Sequence, residues 1–265
     1  MTPLINTLIQ IGLFVLSIYV IGFIIAIINK IFYKLTGYSK AFIYGTGLIG
    51  TPIHELSHSL FCVIFRHKIL EIKLFQIDSE DGTLGYVRHA YNKRNVYHLI
   101  GGFFIGVAPI VIGTALLTLL MKLMIPEVFD GIASNINEFV DACKESFSFI
   151  EFFDMLGNIF ITFFKGVTNW LWWLYFLICF SIALNMNLSK ADLKGTVKAI
   201  PFIIIIFVAI NFILYYVSDT AYNGYISVMW IGGMYLLSIL LLSLLYSLLS
   251  LGIAFIVGLI RSIVK

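Results

Sequence analysis

The chain has 265 residues, of which 60% are hydrophobic and only 12% charged, and its mean hydropathy is +1.00. Soluble domains carry about twice that charge fraction, so composition excludes a soluble core and predicts a polytopic membrane protein. The net charge of +3 and the lack of a basic cluster with interleaved aromatics exclude nucleic acid as a partner.

A membrane-crossing helix needs about 20 apolar residues. Six runs meet that need: 4–28, 41–65, 97–124, 169–187, 197–217 and 228–260. The first has no basic n-region and no small-residue cleavage site. It is too long for a signal-peptide core, so it is expected to be a retained span. The expected fold is all-α, about six transmembrane helices with a small membrane-associated β-hairpin after the second.

The second run carries the chemistry. Gly45, Gly47 and Gly50 precede Thr51-Pro52. Thr is a good N-cap and Pro is favoured at the first helical position, which predicts a helix starting at Pro52. That helix reads Pro52-Ile53-His54-Glu55-Leu56-Ser57-His58. His54 and His58 lie one turn apart on one face, so two imidazoles can hold one zinc, with Glu55 beside them as a base toward water. Ionisable groups in a bilayer are costly and usually functional, which argues against idle polar residues. Zinc and a glutamate base within a bilayer point to peptide hydrolysis. Cys62 can share the His58 face, but a lone cysteine there is read as a small buried hydrophobe. Cys143 and Cys179 are far away, so no disulfide framework or Cys-based zinc site is expected.

After the motif, residues 68–75 alternate imperfectly, a turn-prone Asp78-Ser79-Glu80-Asp81-Gly82 follows, and 83–89 is again strand-like. This predicts a β-hairpin, placed in a region 66–96. His67, His89 and His98, in or beside it, are read as solvated or interfacial rather than as ligands. Gly101, Gly102 and Gly106 are expected to let the third span pack closely on the motif helix. Residues 125–168 hold half of the 14 acids: Glu127, Asp130, Glu138, Asp141, Glu145, Glu151 and Asp154. They predict a solvated extracytoplasmic loop with one or two amphipathic helices, of which 147–164 is apolar enough to lie on the membrane surface.

After the fourth span comes Asn185-Met186-Asn187-Leu188-Ser189-Lys190-Ala191-Asp192. A catalytic zinc needs three protein ligands and an open position, and Asp192 completes a set with the two histidines. The alternative for Asp192 is a helix N-cap, with Ser189 or Asp192 opening the fifth helix, and capping and ligation are compatible. Asn185 and Asn187 are candidate substrate-binding residues, toward backbone or oxyanion, with helix-end capping as the plain reading. The Lys and Arg residues of 66–94, of 188–198 and of the C-terminus share one side in a six-span layout. The positive-inside rule makes that side the cytoplasm, with the motif toward it. Lys30, Lys34 and Lys40 then land outside. Trp170, Trp172, Trp173 and Trp230 are expected as an outer aromatic belt.

These residues resemble the site-2 protease family of intramembrane zinc metalloproteases. The resemblance rests on His54-Glu55-Leu56-Ser57-His58 in one span, on Asp192 at the end of a later one and on the hairpin between, and it covers about residues 41–195. It implies a single metalloprotease domain over 1–265. In it His54, His58 and Asp192 hold Zn²⁺ and Glu55 serves as general base. The implied substrate is a transmembrane helix that unwinds locally, held by strand addition to the hairpin. The chain departs from the family pattern in two ways. No proline lies just before Asp192, and Gly195 follows three residues later. No insert suggests a PDZ domain. Two other readings compete, a catalytically inactive membrane scaffold of the same fold and a membrane metal-binding or transport protein. The layout and lack of targeting signals point to a bacterial cell membrane. Oligomeric state is open.

Overall fold

A computed structural model describes residues 2–37, 39–77, 83–145, 148–186 and 188–264. Among the described residues are nine α-helices and one two-stranded sheet. Helix α1 (Pro3–Ile11) opens with Thr2 as N-cap and Pro3 in its first turn. A π-helical turn at Gly12–Leu16 leads into α2 (Ser17–Leu35), and Gly37, at φ +63°, follows its end. Then come α3 (Lys40–Ile64), β1 (Lys68–Lys73), β2 (Tyr86–Ala90) and α4 (Val96–Met124). An α-hairpin, α5 (Pro126–Glu145) and α6 (Phe149–Lys165), precedes α7 (Trp170–Asn185), α8 (Lys190–Val217) and α9 (Asp219–Val264).

Among the described residues, four helical stretches are long and apolar enough to cross a membrane: Pro3–Leu35, Val96–Met124, Asp192–Val217 and Asp219–Ile260. They mark a membrane protein. The expected six spans are therefore not met. Helix α7 has 16 residues, about 24 Å of helix against a hydrocarbon core of about 30 Å. Helix α3 has length but falls short in apolarity, because its inner face is Thr46, Thr51, Glu55, Ser57, His58 and Ser59. It also does not start at Pro52. It begins at Lys40 and carries Pro52 inside.

The chain divides into two compact units. One comprises residues 1–18, 114–176 and 201–242. Its apolar helices bury amides that pair with one another, as helices do where water is absent. Asn6 Nδ2 donates to Tyr222 Oη at 2.7 Å, and Gln10 Oε1 accepts from Asn211 Nδ2 at 2.7 Å and from Tyr225 Oη at 3.2 Å. The expected amphipathic helices are present here as α5 and α6. Ser148 caps α6, which buries Met155, Ile159 and Phe163 and exposes Phe149, Ile150 and Phe153. The tryptophans split. Trp170 and Trp173 are exposed, whereas Trp172 and Trp230 are core residues. Trp172 donates its indole N–H to the Phe163 carbonyl at 2.8 Å.

The other unit comprises residues 19–113, 177–200 and 243–265, and all of α3 and the sheet lie in it. The two strands pair antiparallel as the sequence predicts, with a bulge between Ile69 and Glu71. The expected turn, Asp78 to Gly82, lies outside the described residues.

Candidate metal centre

Helix α3 presents His54 and His58 one turn apart. Each ring is oriented from outside its own helix. His54 Nδ1 donates to the Asn185 carbonyl at 2.7 Å and His58 Nδ1 donates to the Ile105 carbonyl at 2.7 Å. Those bonds fix the tautomers and leave the Nε2 lone pairs facing one another, 3.1 Å apart. Two lone pairs at that distance call for a proton or a cation between them. Backbone carbonyls behind ligating imidazoles are the usual outer support of a metal site.

Asp192 supplies the third group, with Oδ1 3.5 Å from His58 Nε2. Its other oxygen, Oδ2, accepts from the Ser189 N–H at 2.8 Å, while Ser189 Oγ accepts from the Asp192 N–H at 3.2 Å. This is a capping box at the start of α8, so capping and ligation coexist in one side chain. The ligand atoms of His54, His58 and Asp192 lie within 4.8 Å of one another, and among the described residues this is the one such group of three. Tetrahedral zinc with bonds of about 2.0–2.1 Å places its N and O ligands about 3.3–3.5 Å apart. The 3.1 Å between the histidine nitrogens and the 3.5 Å from His58 to Asp192 are near that spacing, and the donor set suits a borderline transition-metal ion.

Glycines set the approach of the helices. A Cβ at Gly106 would collide with Thr196 and stand 2.8 Å from the Asp192 carbonyl oxygen, and one at Gly102 would stand 3.4 Å from the Gly195 carbonyl oxygen. These glycines therefore seat α4 on the first turns of α8, not on the motif helix as expected. Gly101 instead accommodates Phe65 just beyond α3.

On the opposite side, α3 meets α7 at Gly50, where any Cβ would overlap the Ser181 carbonyl oxygen and Asn185. Ser181 Oγ accepts from the Gly50 N–H at 3.2 Å and donates to the Thr46 carbonyl at 2.7 Å. Asn185 Nδ2 also donates to Thr46 O, at 3.1 Å, and Asn185 Oδ1 accepts from Thr51 Oγ1 at 3.3 Å. The turn of α3 that precedes Pro52 is thus served by two polar side chains of α7.

Glu55 is 7% exposed and lines the same cavity of about 370 Å³ as His54, His58 and Asp192. The backbone at Gly85 presses on it, since a Cβ there would stand 2.9 Å from Glu55 Cγ. A second cavity of about 210 Å³ is lined by Thr51, His54, Glu55, Gly85 and Asn185. Asn185, expected to bind substrate, spends its side chain on α3 and α7 and its carbonyl on His54. Asn187 lies outside the described residues. Cys62 is fully buried and is not in the ligand group. Sequence reading missed Ser181, Gly85 and the Ile105 carbonyl, whereas Ser189 stands at the expected cap of the fifth helix. The spacing of Ser181 and Asn185, four apart on an apolar helix, is the signal that points to the first.

Comparison with protein-family models, with curated proteins and with solved structures finds no match.

Proposed function

We propose that this chain is an intramembrane zinc metalloprotease that cleaves a peptide bond in or beside a transmembrane segment of another protein. One observation carries the reading: the ligand atoms of His54, His58 and Asp192 converge within 4.8 Å, and Glu55 lines the same cavity. Zinc bound there supplies Lewis acidity and a water of lowered pKa. His54 and His58 hold their ligating nitrogens in place through the Asn185 and Ile105 carbonyls. Glu55 takes the proton of the attacking water and hands it to the leaving amine. Tyr86, Val87 and His89 of β2 line the cavity, which brings extended backbone alongside it. A substrate segment must itself be extended to present a carbonyl, since a helix occupies its own.

The observations also favour a topology different from the six-span one. A Cβ at Gly258, late in α9, would stand 3.5 Å from the Leu35 carbonyl oxygen at the end of α2. The two helix ends are therefore neighbours, and Lys30 and Lys34 share a side with the basic C-terminus. With α3 inserted from that side without crossing, the four long stretches α1–α2, α4, α8 and α9 cross together with the shorter α7, whose deficit a locally thinned bilayer accommodates. Lys30, Lys34 and Lys40 then join the other basic residues on the cytoplasmic side, and the positive-inside rule is met throughout. The outer face of α3, with Leu48, Leu56, Leu60 and Val63 all exposed, suits lipid.

The test is release of a fragment from a tagged single-span protein co-reconstituted with the chain in liposomes. Wild type is expected to cleave and Glu55→Gln to lose activity by about 10²–10⁴-fold. Equal cleavage by both would remove Glu55 from the chemistry, and no cleavage of any single-span protein by the zinc-loaded wild type would leave a scaffold.

A further inference from the structure

A second pair of histidines shares part of the construction of the first: two ring nitrogens face one another, and one of the two rings is held by a backbone carbonyl. Helix α3 ends in a Schellman motif: the Arg66 N–H donates to Val63 O at 3.1 Å and the His67 N–H donates to Cys62 O at 2.8 Å. The residue that must adopt a left-handed conformation is Arg66, at φ +55°, although L residues with side chains adopt it reluctantly. The turn draws His67 inward until it is 4% exposed. Its Nε2 donates to the His98 carbonyl at 2.9 Å, which leaves the Nδ1 lone pair unshared within the ring. That Nδ1 faces His89 Nδ1 across 3.0 Å.

Strand β2 delivers His89 opposite Ile69, where the bulge between Ile69 and Glu71 breaks the ladder. Bulges re-aim side chains next to functional sites. The ring of Tyr91 stacks on His67 with centroids 4.6 Å apart, fixing its plane. The His98 ring stands 5.4 Å away, its Nδ1 accepting from the Asn92 N–H at 3.2 Å.

Burial lowers the pKa of His67, with the neighbouring His98 charge adding to it, against the hydrogen bond to the His98 carbonyl. Burial also lowers His89, helped by His67 and His58 and opposed by Asp192. Both rings are therefore neutral near pH 7, the form that ligates metals.

From this geometry we infer a second transition-metal site, in which His67 Nδ1 and His89 Nδ1 hold one borderline divalent ion such as Zn²⁺, with water completing its shell. The nitrogen spacing, 3.0 Å, nearly equals the 3.1 Å between the two motif histidines. The carbonyl behind His67 is the same device that orients His54 and His58. Two imidazoles without a carboxylate favour zinc, nickel or copper over magnesium or calcium, and bind more weakly than a three-ligand set. His89 also lines the cavity of the His54–His58–Asp192 centre, so the second ion sits at the edge of the first one's cavity. The inference does not rest on the protease reading.

The experiment is equilibrium dialysis of detergent-purified full-length chain against graded ZnCl₂, with bound zinc counted by mass spectrometry. Wild type is expected to take up two equivalents, the second more weakly. His67→Asn and His89→Asn each should lose the second and keep the first, whereas His54→Asn should lose the first and keep the second. His89→Asn, on a half-exposed strand position, serves if His67→Asn misfolds, and the melting temperature without added metal reports folding. With Co²⁺ in place of zinc, the visible absorption of the second equivalent should vanish in the same two variants. Wild type saturating at one equivalent, or a second equivalent unchanged in both variants, would overturn the site.

Discussion

Ser189 and Asp192 hold each other at the start of α8, each accepting a hydrogen bond from the other's backbone N–H, at 3.2 and 2.8 Å. The arrangement commits one carboxylate oxygen to the helix and leaves the other 3.5 Å from His58 Nε2. The first turn of the helix thus orients a metal ligand.

Ser189→Ala removes the serine hydroxyl and keeps the carboxylate. A lost cap costs about 0.5–2 kcal/mol, while the backbone N–H that holds Asp192 Oδ2 remains, so zinc binding weakens only as far as the first turn of α8 loosens. Competition against a chromophoric chelator is expected to show weaker but measurable zinc binding. An unchanged constant would mean that the Ser189 backbone N–H holds the carboxylate without help from the hydroxyl.

Gly106→Ala places a methyl where Thr196 and the Asp192 carbonyl already sit. Thr196 is fully buried and donates to Leu193 O, and backbone yields little, so α8 must shift away from α4, carrying Asp192 with it. Zinc affinity is expected to fall by about 10-fold or more, as misplacement of a ligand predicts. Gly102→Ala, with 3.4 Å of clearance, should lose much less. Equal effects of the two variants would argue against Gly106 as the spacer.

Ser181→Ala strips the Gly50 N–H of an acceptor and the Thr46 carbonyl of one of its donors inside the protein. Each of these two hydrogen bonds contributes about 0.5–1.5 kcal/mol. Thermal unfolding in detergent should shift down by several degrees while zinc per chain stays near the wild-type value. Loss of zinc without loss of stability would give Ser181 a direct role at the metal.

Much of this site was legible in the sequence, because local chemistry fixes it. The spacing of His54 and His58 works on any helix, and Asp192 stands out as an acid beside an apolar run. The hairpin was legible from its turn residues. What stayed hidden depends on tertiary approach. The carbonyls of Asn185 and Ile105 carry no side-chain signature, and Gly106 reads the same whether it faces α3 or α8. The span count failed for a related reason. An apolar average over 41–65 hides the polar inner face of α3, which neighbouring helices satisfy. The division of the tryptophans between surface and core likewise depends on partners such as Phe163, out of reach of composition.

Stability should fall in acid through the hairpin histidines. Burial holds both His67 and His89 below the ordinary histidine range, which in an unfolded chain is about pH 6.5. Their contribution is thus present above that range and is lost as pH falls through the lower folded-state values. Melting temperatures at about pH 7.5 and about pH 5 should differ more for wild type than for His67→Asn. An equal drop in both would place the acid sensitivity elsewhere.

The most direct test of the account is zinc retained per chain after dialysis against a weak chelator, for wild type beside Asp192→Asn. The variant keeps the shape of the side chain but loses the charge. The account predicts about one tightly held zinc in wild type, as a three-ligand centre requires, and clear loss in a variant that still folds. Zinc retained in Asp192→Asn, or none in either protein, would contradict it.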